Sequence, residues 1–437
     1  MKKKLIFIQL NEINFDLVKR YIESSKKDKF KHLNYIIKFY KNSVTNSEYQ
    51  YKNLEPWIQW ASVHLGKDYN SHKIFRLGDI ANHLEQMQIF EKIEAKGFKV
   101  GAISPMNTAN KLKDPTYFIP DPWTNTKPDS SGFSKRISKM LKQSVNDNSS
   151  NKLSINSIIT IFEIILRTFD LKKTIFLIKL IFSSINKSWK KSLVLDYLIH
   201  MLHLYYLKKK KVNFSSVFLN AGAHIQHHYF YNTKYIENLP ANPNWYIDKF
   251  NDPIEEMLII YDRIISDYLN LYKNSTSLLI ATGLSQVPND KIKFYWRLKN
   301  HNSFLNKIGI KFSKVWPRMT RDFEITFSTN EEQVNAKKIL EKIILKKDNV
   351  KIFKEIDERD KSLFVTLTYP NEIKKEDYLI INDNFELNFY KEISFVAIKN
   401  GKHDKKGYLF CSPNINFEIP KEPIHVSKIH NIIMNFF

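Results

Sequence analysis

The chain of 437 residues has a single cysteine, Cys411, which excludes an internal disulfide framework and suits a reducing compartment. The apolar stretch Ile175-Phe-Leu-Ile-Lys-Leu-Ile-Phe182 is too short to span a bilayer and carries Lys179, so it reads as a buried or interfacial helix. Glycine disappears after Gly132 and proline after Pro128 until past Lys211, which leaves that stretch without the residues that break helices. No P-loop, dinucleotide fingerprint, HExxH or paired-cysteine metal motif is present. The N-terminus, Met-Lys-Lys-Lys-Leu-Ile-Phe-Ile-Gln-Leu, starts basic like a signal peptide. Its apolar run is too short for one, however, and it breaks at Asn11-Glu12 without a small-residue cleavage site. It reads as a first strand, and the chain as a cytoplasmic protein with contact at a membrane surface left open.

What the chain has in excess is positive charge, with 68 Lys and Arg against 45 Asp and Glu and a formal net charge of +23. That balance fits nucleic acid, an anionic membrane or acidic glycans, but the lysines are spread over the whole length rather than gathered in one stripe. Heavy use of Lys, Asn and Ile fits a biased base composition equally well. At 43% hydrophobic, the chain can bury one large core with an insertion, or two domains.

Buried-strand patterns at Leu5–Leu10, Val100–Ile103, Phe214–Leu219 and Ser277–Thr282 alternate with amphipathic helices at about 15–24, 80–96 and 254–271. The alternation predicts a doubly wound, mostly parallel α/β sheet. Three apolar helices at about 155–169, 174–185 and 193–207 predict a helical insertion over residues 130–211, lying over the site as a cap. Residues 324–328, 331–345 and 363–367 predict a small βαβ subdomain at 320–390. The core is then 1–129, 212–319 and 391–437, with a last helix at 426–437.

The densest cluster of reactive side chains follows a buried strand, in Phe-Leu-Asn-Ala-Gly-Ala-His-Ile-Gln-His-His-Tyr from Phe218 to Tyr229. Gly222 is read as a sharp turn that leaves His224, Gln226, His227 and His228 at the strand's C-terminal edge, where open α/β sheets bind ligands. Neutral imidazoles are common transition-metal ligands and proton carriers. Asn11 and Glu12 stand at the tip of the first strand. Between Leu54 and Gly66 lie Glu55, Trp57, Gln59, Ser62 and His64, which read either as site residues or as part of an aromatic plug. Arg297, Arg318 and Arg321 sit among Tyr and Trp. That setting suits a bidentate grip on phosphate, sulfate or carboxylate, and simple surface ion pairs are the alternative.

The order of these motifs resembles the alkaline phosphatase superfamily, particularly its phosphodiesterase and nucleotide pyrophosphatase branch. Leu-Ile-Phe-Ile-Gln-Leu-Asn-Glu-Ile-Asn-Phe-Asp-Leu at Leu5 to Leu17 is similar to the family's opening strand, metal-binding Asp and helix. Trp60-Ala-Ser-Val-His-Leu-Gly66 resembles the stretch after its nucleophile. Asn220-Ala-Gly-Ala-His224 has the spacing of its Asp-x-x-Gly-His motif. His403 with Gly407 is similar to its last metal-binding His. The resemblance covers most of the chain outside the insertion and implies a fold of that type. Its departures are pointed: Asn11 and Asn220 stand where metal-binding Asp residues belong, Gly283 and Leu284 replace an Asp-His pair, and Pro56 falls at the nucleophile position.

The resemblance implies a divalent metal site, zinc or manganese, drawn from Asn11, Glu12, Asn220, His224 and His403 and holding fewer than the family's two ions. Glu55 or His64 is the expected general base, His227 or His228 the proton donor to the leaving oxygen, and Ser62 a candidate nucleophile. Substrate contacts are expected from Arg297, Arg318, Arg321, Trp57, Gln59 and Gln226. The implied activity is hydrolysis or transfer of a phosphoester or sulfoester, with an anionic small molecule or glycan headgroup as partner and no nucleic acid. A catalytically inactive binding protein of the same fold and a membrane-surface partner are the alternatives.

Overall fold

The computed structural model describes residues 3–26, 28–146, 154–271, 276–318, 320–382 and 385–437. All six residues of β1 (Leu5–Leu10) are buried, as they must be in a strand with helices on both faces of its sheet. In α1 (Phe15–Ser24), the Asn14 side chain accepts from the amides of Asp16 and Leu17 and so caps the first turn. There follow α2 (Lys31–Phe39), β2 (Lys41–Asn46), α3 (Pro56–Leu65), α4 (Tyr69–His72), α5 (Ile89–Ala95), β3 (Val100–Ile103) and β4 (Tyr117–Ile119). Four consecutive helices come next: α6 (Gly132–Asn146), α7 (Ile155–Arg167), α8 (Leu171–Asn186) and α9 (Lys190–Lys209). β5 (Phe214–Leu219), α10 (Ala221–Tyr229), α11 (Pro253–Leu271), β6 (Ser277–Ala281) and β7 (Ser285–Leu298) continue the chain.

The main sheet has eight strands. Its order is Ile424–His425, β2, Lys406–Cys411, β6, β1, β5, β3, β4. From β6 to β4 every pairing is parallel, while Lys406–Cys411 runs antiparallel to both β6 and β2. Side chains alternate across this sheet with the two-residue period of a strand. Ile6, Ile8 and Leu10 join Val217 and Leu219 in one core, covered by α1, α2 and α6 to α11. Leu5 and Phe7 join Phe214 and Phe218 in the other, covered by α3, α5 and the C-terminal helix Lys428–Phe436. Each fully buried Phe or Leu contributes roughly 1.5–3 kcal/mol of transfer free energy.

Of the helices expected as a cap, α6 rests on β4 and α9 on β5, while α7 lies on α6 and α9 and α8 lies on α9. They share one core with β1 and β5 through residues such as Ile137, Leu177 and Tyr197. The expected helix at 80–96 is shorter, because Gly78 in the left-handed region (φ 84°) leads into a single 3-10 turn and α5 starts only at the Gln88 capping box.

Residues 289–400 form a second compact unit, where the sequence suggested 320–390. It holds two four-stranded sheets. The strands Asp322–Thr326 and Ser362–Thr366, read from the sequence as parts of a βαβ unit, pair antiparallel with Ile325 opposite Leu363. The reason is local: Ser362–Thr366 is entered through a hairpin from Glu355–Arg359, and that hairpin reverses the chain.

Candidate metal centre

β1 ends in Asn11 and Glu12, and Glu12 has a φ of 62°, in the left-handed region. A non-glycine residue held in a sparsely populated backbone region costs about 1–3 kcal/mol and persists only where its surroundings impose it. The surroundings here are both neighbouring strands and α10. The Asn11 amide donates to the Leu219 carbonyl (3.0 Å), the Glu12 amide to the Thr282 carbonyl (3.1 Å), and Gln226 Nε2 to the Glu12 carbonyl (2.7 Å).

β5 passes into α10 with only Asn220 between them. Gly222, expected to make a sharp turn, instead lies inside this helix. A Cβ there would stand 2.1 Å from Ile13 Cδ1, so the glycine allows α10 to pack tightly on the chain beyond β1. The helix N-terminus is satisfied by Asp196 of α9, which accepts from the amides of Asn220 (3.1 Å) and Ala221 (2.8 Å) and from the Tyr261 hydroxyl (2.8 Å). Burial pushes the Asp196 carboxyl up to about 6.

This framing brings three ligand atoms together. Glu12 Oε2 lies 3.2 Å from His227 Nε2 and 3.2 Å from His403 Nε2, and the two Nε2 atoms are 3.2 Å apart. A tetrahedral cation with ligand bonds of about 2.0–2.1 Å requires ligand atoms about 3.3 Å from one another. The triangle meets that requirement on all three edges. Two imidazoles and one carboxylate also form a donor set suited to a divalent transition metal with a position left open. Glu12, His227 and His403 are thus a cluster able to hold a metal ion.

Burial alone would raise the Glu12 carboxyl, but the charges and hydrogen bonds of His403 and His227 outweigh it and hold the group well below the usual carboxylate range. Gln286 Nε2 donates to Glu12 Oε2 (2.6 Å) and to the Ala223 carbonyl (3.0 Å), and Asn11 Nδ2 donates to Glu12 Oε1 (3.1 Å). On the far side of His403, Nδ1 lies 3.7 Å from Glu55 Oε2. A carboxylate there favours the Nδ1–H tautomer and leaves the Nε2 lone pair facing inward. His227 keeps 24% of its side chain exposed, so the cluster is reached from solvent.

No protein-family model matches the chain, and no curated protein matches it in sequence. Solved structures do resemble it along its whole length. Murine ectonucleotide pyrophosphatase/phosphodiesterase 5, in an inactive form in complex with AMP, is 11% identical over 99% of this chain and 94% of its own, with a TM-score of 0.44. Phosphonoacetate hydrolase from Sinorhizobium meliloti 1021, in complex with phosphonoacetate, is 9% identical over 100% and 96%, with a TM-score of 0.43. Alkaline phosphatase from the Antarctic bacterium TAB5 is 10% identical over 100% and 98%, with a TM-score of 0.41. They are alkaline phosphatase superfamily proteins.

Of the residues that the superfamily resemblance singled out as ligands, Glu12 and His403 enter the triangle. His224 does not. It lies one helical turn before His227 and His228, its ring against that of His228 (4.8 Å between centroids), and burial, with the charge of His227, lowers it to about 4. Asn11 is fully engaged: Oδ1 accepts from Trp60 Nε1 (2.8 Å), while Nδ2 donates to Glu12 and to Asn220 Oδ1 (2.8 Å). Asn220 is drawn into the same network.

The expected catalytic and substrate residues divide in the same way. Glu55 and His228 flank the triangle, Glu55 against His403 and His228 against His227 (6.2 Å between ring centroids). Ser62 and His64 are instead core residues on the buried face of α3. Ser62 Oγ donates to the Ile58 carbonyl (3.1 Å). His72 Nδ1 accepts from the Ile74 amide (3.0 Å), so its Nε2 carries the proton toward Ser62 (3.0 Å) and cannot activate the hydroxyl. His64 has Gln9 on one ring nitrogen (3.1 Å) and Thr108 on the other (2.9 Å), and burial lowers it to about 3. Gln59 and Gln226 are also buried and committed to backbone partners, Gln59 to Glu48 and Asn53, and Gln226 to Asn14, Glu12 and Gly222. Trp57 donates to the Phe75 carbonyl (2.9 Å).

Arg297, Arg318 and Arg321 belong to the second unit. There Arg318 pairs with Glu324, and Arg321 stacks on Tyr295 and donates to the Leu367 carbonyl. Arg297 is half-buried, which lowers its pKa despite the nearby Asp322. Gln286 and Asp196 were not singled out from the sequence. Each carried a signal, Gln286 as a polar side chain just beyond a buried strand and Asp196 as a lone carboxylate within an apolar helix.

Proposed function

We propose that this chain is a metal-dependent hydrolase or transferase acting on a phosphoester or sulfoester, with its centre at Glu12, His227 and His403. The observation that carries the reading is the triangle of ligand atoms, 3.2 Å on each edge. The ester class comes from the resemblance of its motif order to the alkaline phosphatase superfamily. A divalent ion bound there, zinc or manganese by its donor set, would polarise a phosphoryl or sulfuryl oxygen.

The remaining chemistry falls to side chains of this chain. Glu55, partly exposed beside His403, accepts the proton of an incoming water or acceptor hydroxyl, whose oxygen forms the new bond to phosphorus or sulfur. The bond to the leaving oxygen breaks, and His228 supplies the proton that this oxygen takes up. With Ser62 buried and Pro56 at the nucleophile position, the acceptor attacks directly and no covalent enzyme intermediate forms. The substrate is an anionic small molecule or glycan headgroup rather than nucleic acid.

The test is a panel of aryl phosphodiester, phosphomonoester and sulfate ester substrates, assayed with added zinc or manganese. Turnover of at least one ester is expected, with kcat/KM reduced on the order of a hundredfold or more in His403→Ala. If no ester is turned over while the metal still binds stoichiometrically, the protein is a binding module of the same fold.

A further inference from the structure

α7 and α8 each bury one face and leave an apolar face in solvent. On α7 the buried residues are Ser157, Thr160 and Ile164, while Ile155, Ile159, Phe162 and Leu166 recur at three- and four-residue steps on the exposed side. On α8 the buried residues are Thr174, Leu177 and Leu180, and Leu171, Ile175, Phe182 and Ile185 are exposed at the same helical spacing. A soluble helix would carry its polar residues here. Instead Ile155 and Leu166 are 76% and 74% exposed, and Phe169, in the short link between the helices, is 63% exposed. Exposed apolar faces on this scale mark sites of contact with another apolar phase.

Charge selects that phase. Residues 154–189 carry five cations, Arg167, Lys172, Lys173, Lys179 and Lys187, against the two carboxylates Glu163 and Asp170. Ion pairs within the fold engage Arg167 with Glu163, Lys173 with Asp170 and Asp267, and Lys187 with Glu256, so the charge offered outward is that of Lys172 and Lys179. Lys172 and Lys179 are exposed beside the apolar residues, where their stems can lie along hydrocarbon while the ammonium groups reach a headgroup layer. The whole chain carries +23. Among the described residues, no helix is long and apolar enough to cross a membrane. We infer that α7 and α8 dock on the surface of an anionic lipid bilayer, their apolar faces entering the boundary between headgroups and acyl chains and their lysines facing acidic lipids. This inference stands independently of the metal centre.

The experiment is co-sedimentation of the full chain with phosphatidylcholine vesicles, with and without about 30% phosphatidylserine, alongside two variants. One variant is Phe162→Glu with Phe182→Glu, which places charge on the apolar faces. The other is Lys172→Glu with Lys179→Glu. Binding is expected to the serine-containing vesicles, with a loss of about tenfold or more in each variant. Because all four side chains are exposed, thermal melts of the variants should match the parent. Three results would overturn the inference: no binding to either vesicle, binding by both variants equal to that of the parent, or a concentration-dependent dimer in light scattering that the Phe variant abolishes while vesicle binding is unaltered.

Discussion

Glu12 is the residue on which the site turns. Its left-handed backbone, its burial and the hydrogen bonds from Gln286 and Asn11 all hold one carboxylate oxygen against two imidazoles. That Glu12 and His403 belong together was legible from motif order. The choice of His227 over His224 was not, because the spacing from Asn220 says nothing about how α10 is rotated over the sheet. His64 shows the opposite failure: a histidine in a dense polar motif looked reactive, yet both its ring nitrogens are used inside the core. Its folded pKa of about 3 lies below the ordinary 6.5, so the unfolded chain takes up the proton first. The stability it contributes is therefore present above pH 6.5 and is lost as pH falls toward 3. In urea unfolding, the destabilisation caused by His64→Gln should be smaller at pH 5 than at pH 7.5 by about 2 kcal/mol. An equal effect at both pH values would mean that His64 is not buried as the neutral imidazole.

At the scale of the element, α10 carries the histidine and depends on close packing that only its second residue permits. Gly222→Ala would place a methyl group 2.1 Å from Ile13 Cδ1 and 3.2 Å from Tyr261 Cε2. The expected result is a loss of about 1–3 kcal/mol in stability together with weaker metal binding, because α10 or the Ile13 segment that follows Glu12 must give way. Denaturant titration and metal titration of the same variant check both parts. A destabilised protein with unchanged metal affinity would separate the packing from the site. Strands buried on both faces, such as β1 and β5, were plain in the sequence as continuous apolar runs. β2, reading Lys-Asn-Ser-Val-Thr-Asn, was missed because only Ser43 and Thr45 are buried, and both are polar. The helices of residues 130–211 were recognisable from apolar periodicity without glycine or proline. Their place on one sheet face depends on the contacts of α6 with β4 and of α9 with β5, which no local pattern encodes.

At the scale of the whole molecule, the tip of β1, the last turn of α10 and His403, three residues before the main-sheet strand Lys406–Cys411, come together from positions as far apart as 12, 227 and 403. That convergence is a property of topology, and the sequence reached it only through the resemblance of motif order. The arginines were read from their setting among aromatic side chains, and within residues 289–400 Arg318 pairs with Glu324 while Arg321 stacks on Tyr295. The most direct test of the account is the metal content of the purified full chain, equilibrated with zinc or manganese and desalted. It predicts one ion per chain in the parent and in His224→Ala, and substoichiometric metal in His227→Ala and in His403→Ala. Metal lost in His224→Ala but retained in His227→Ala, or no retained metal in the parent, would contradict a centre at Glu12, His227 and His403.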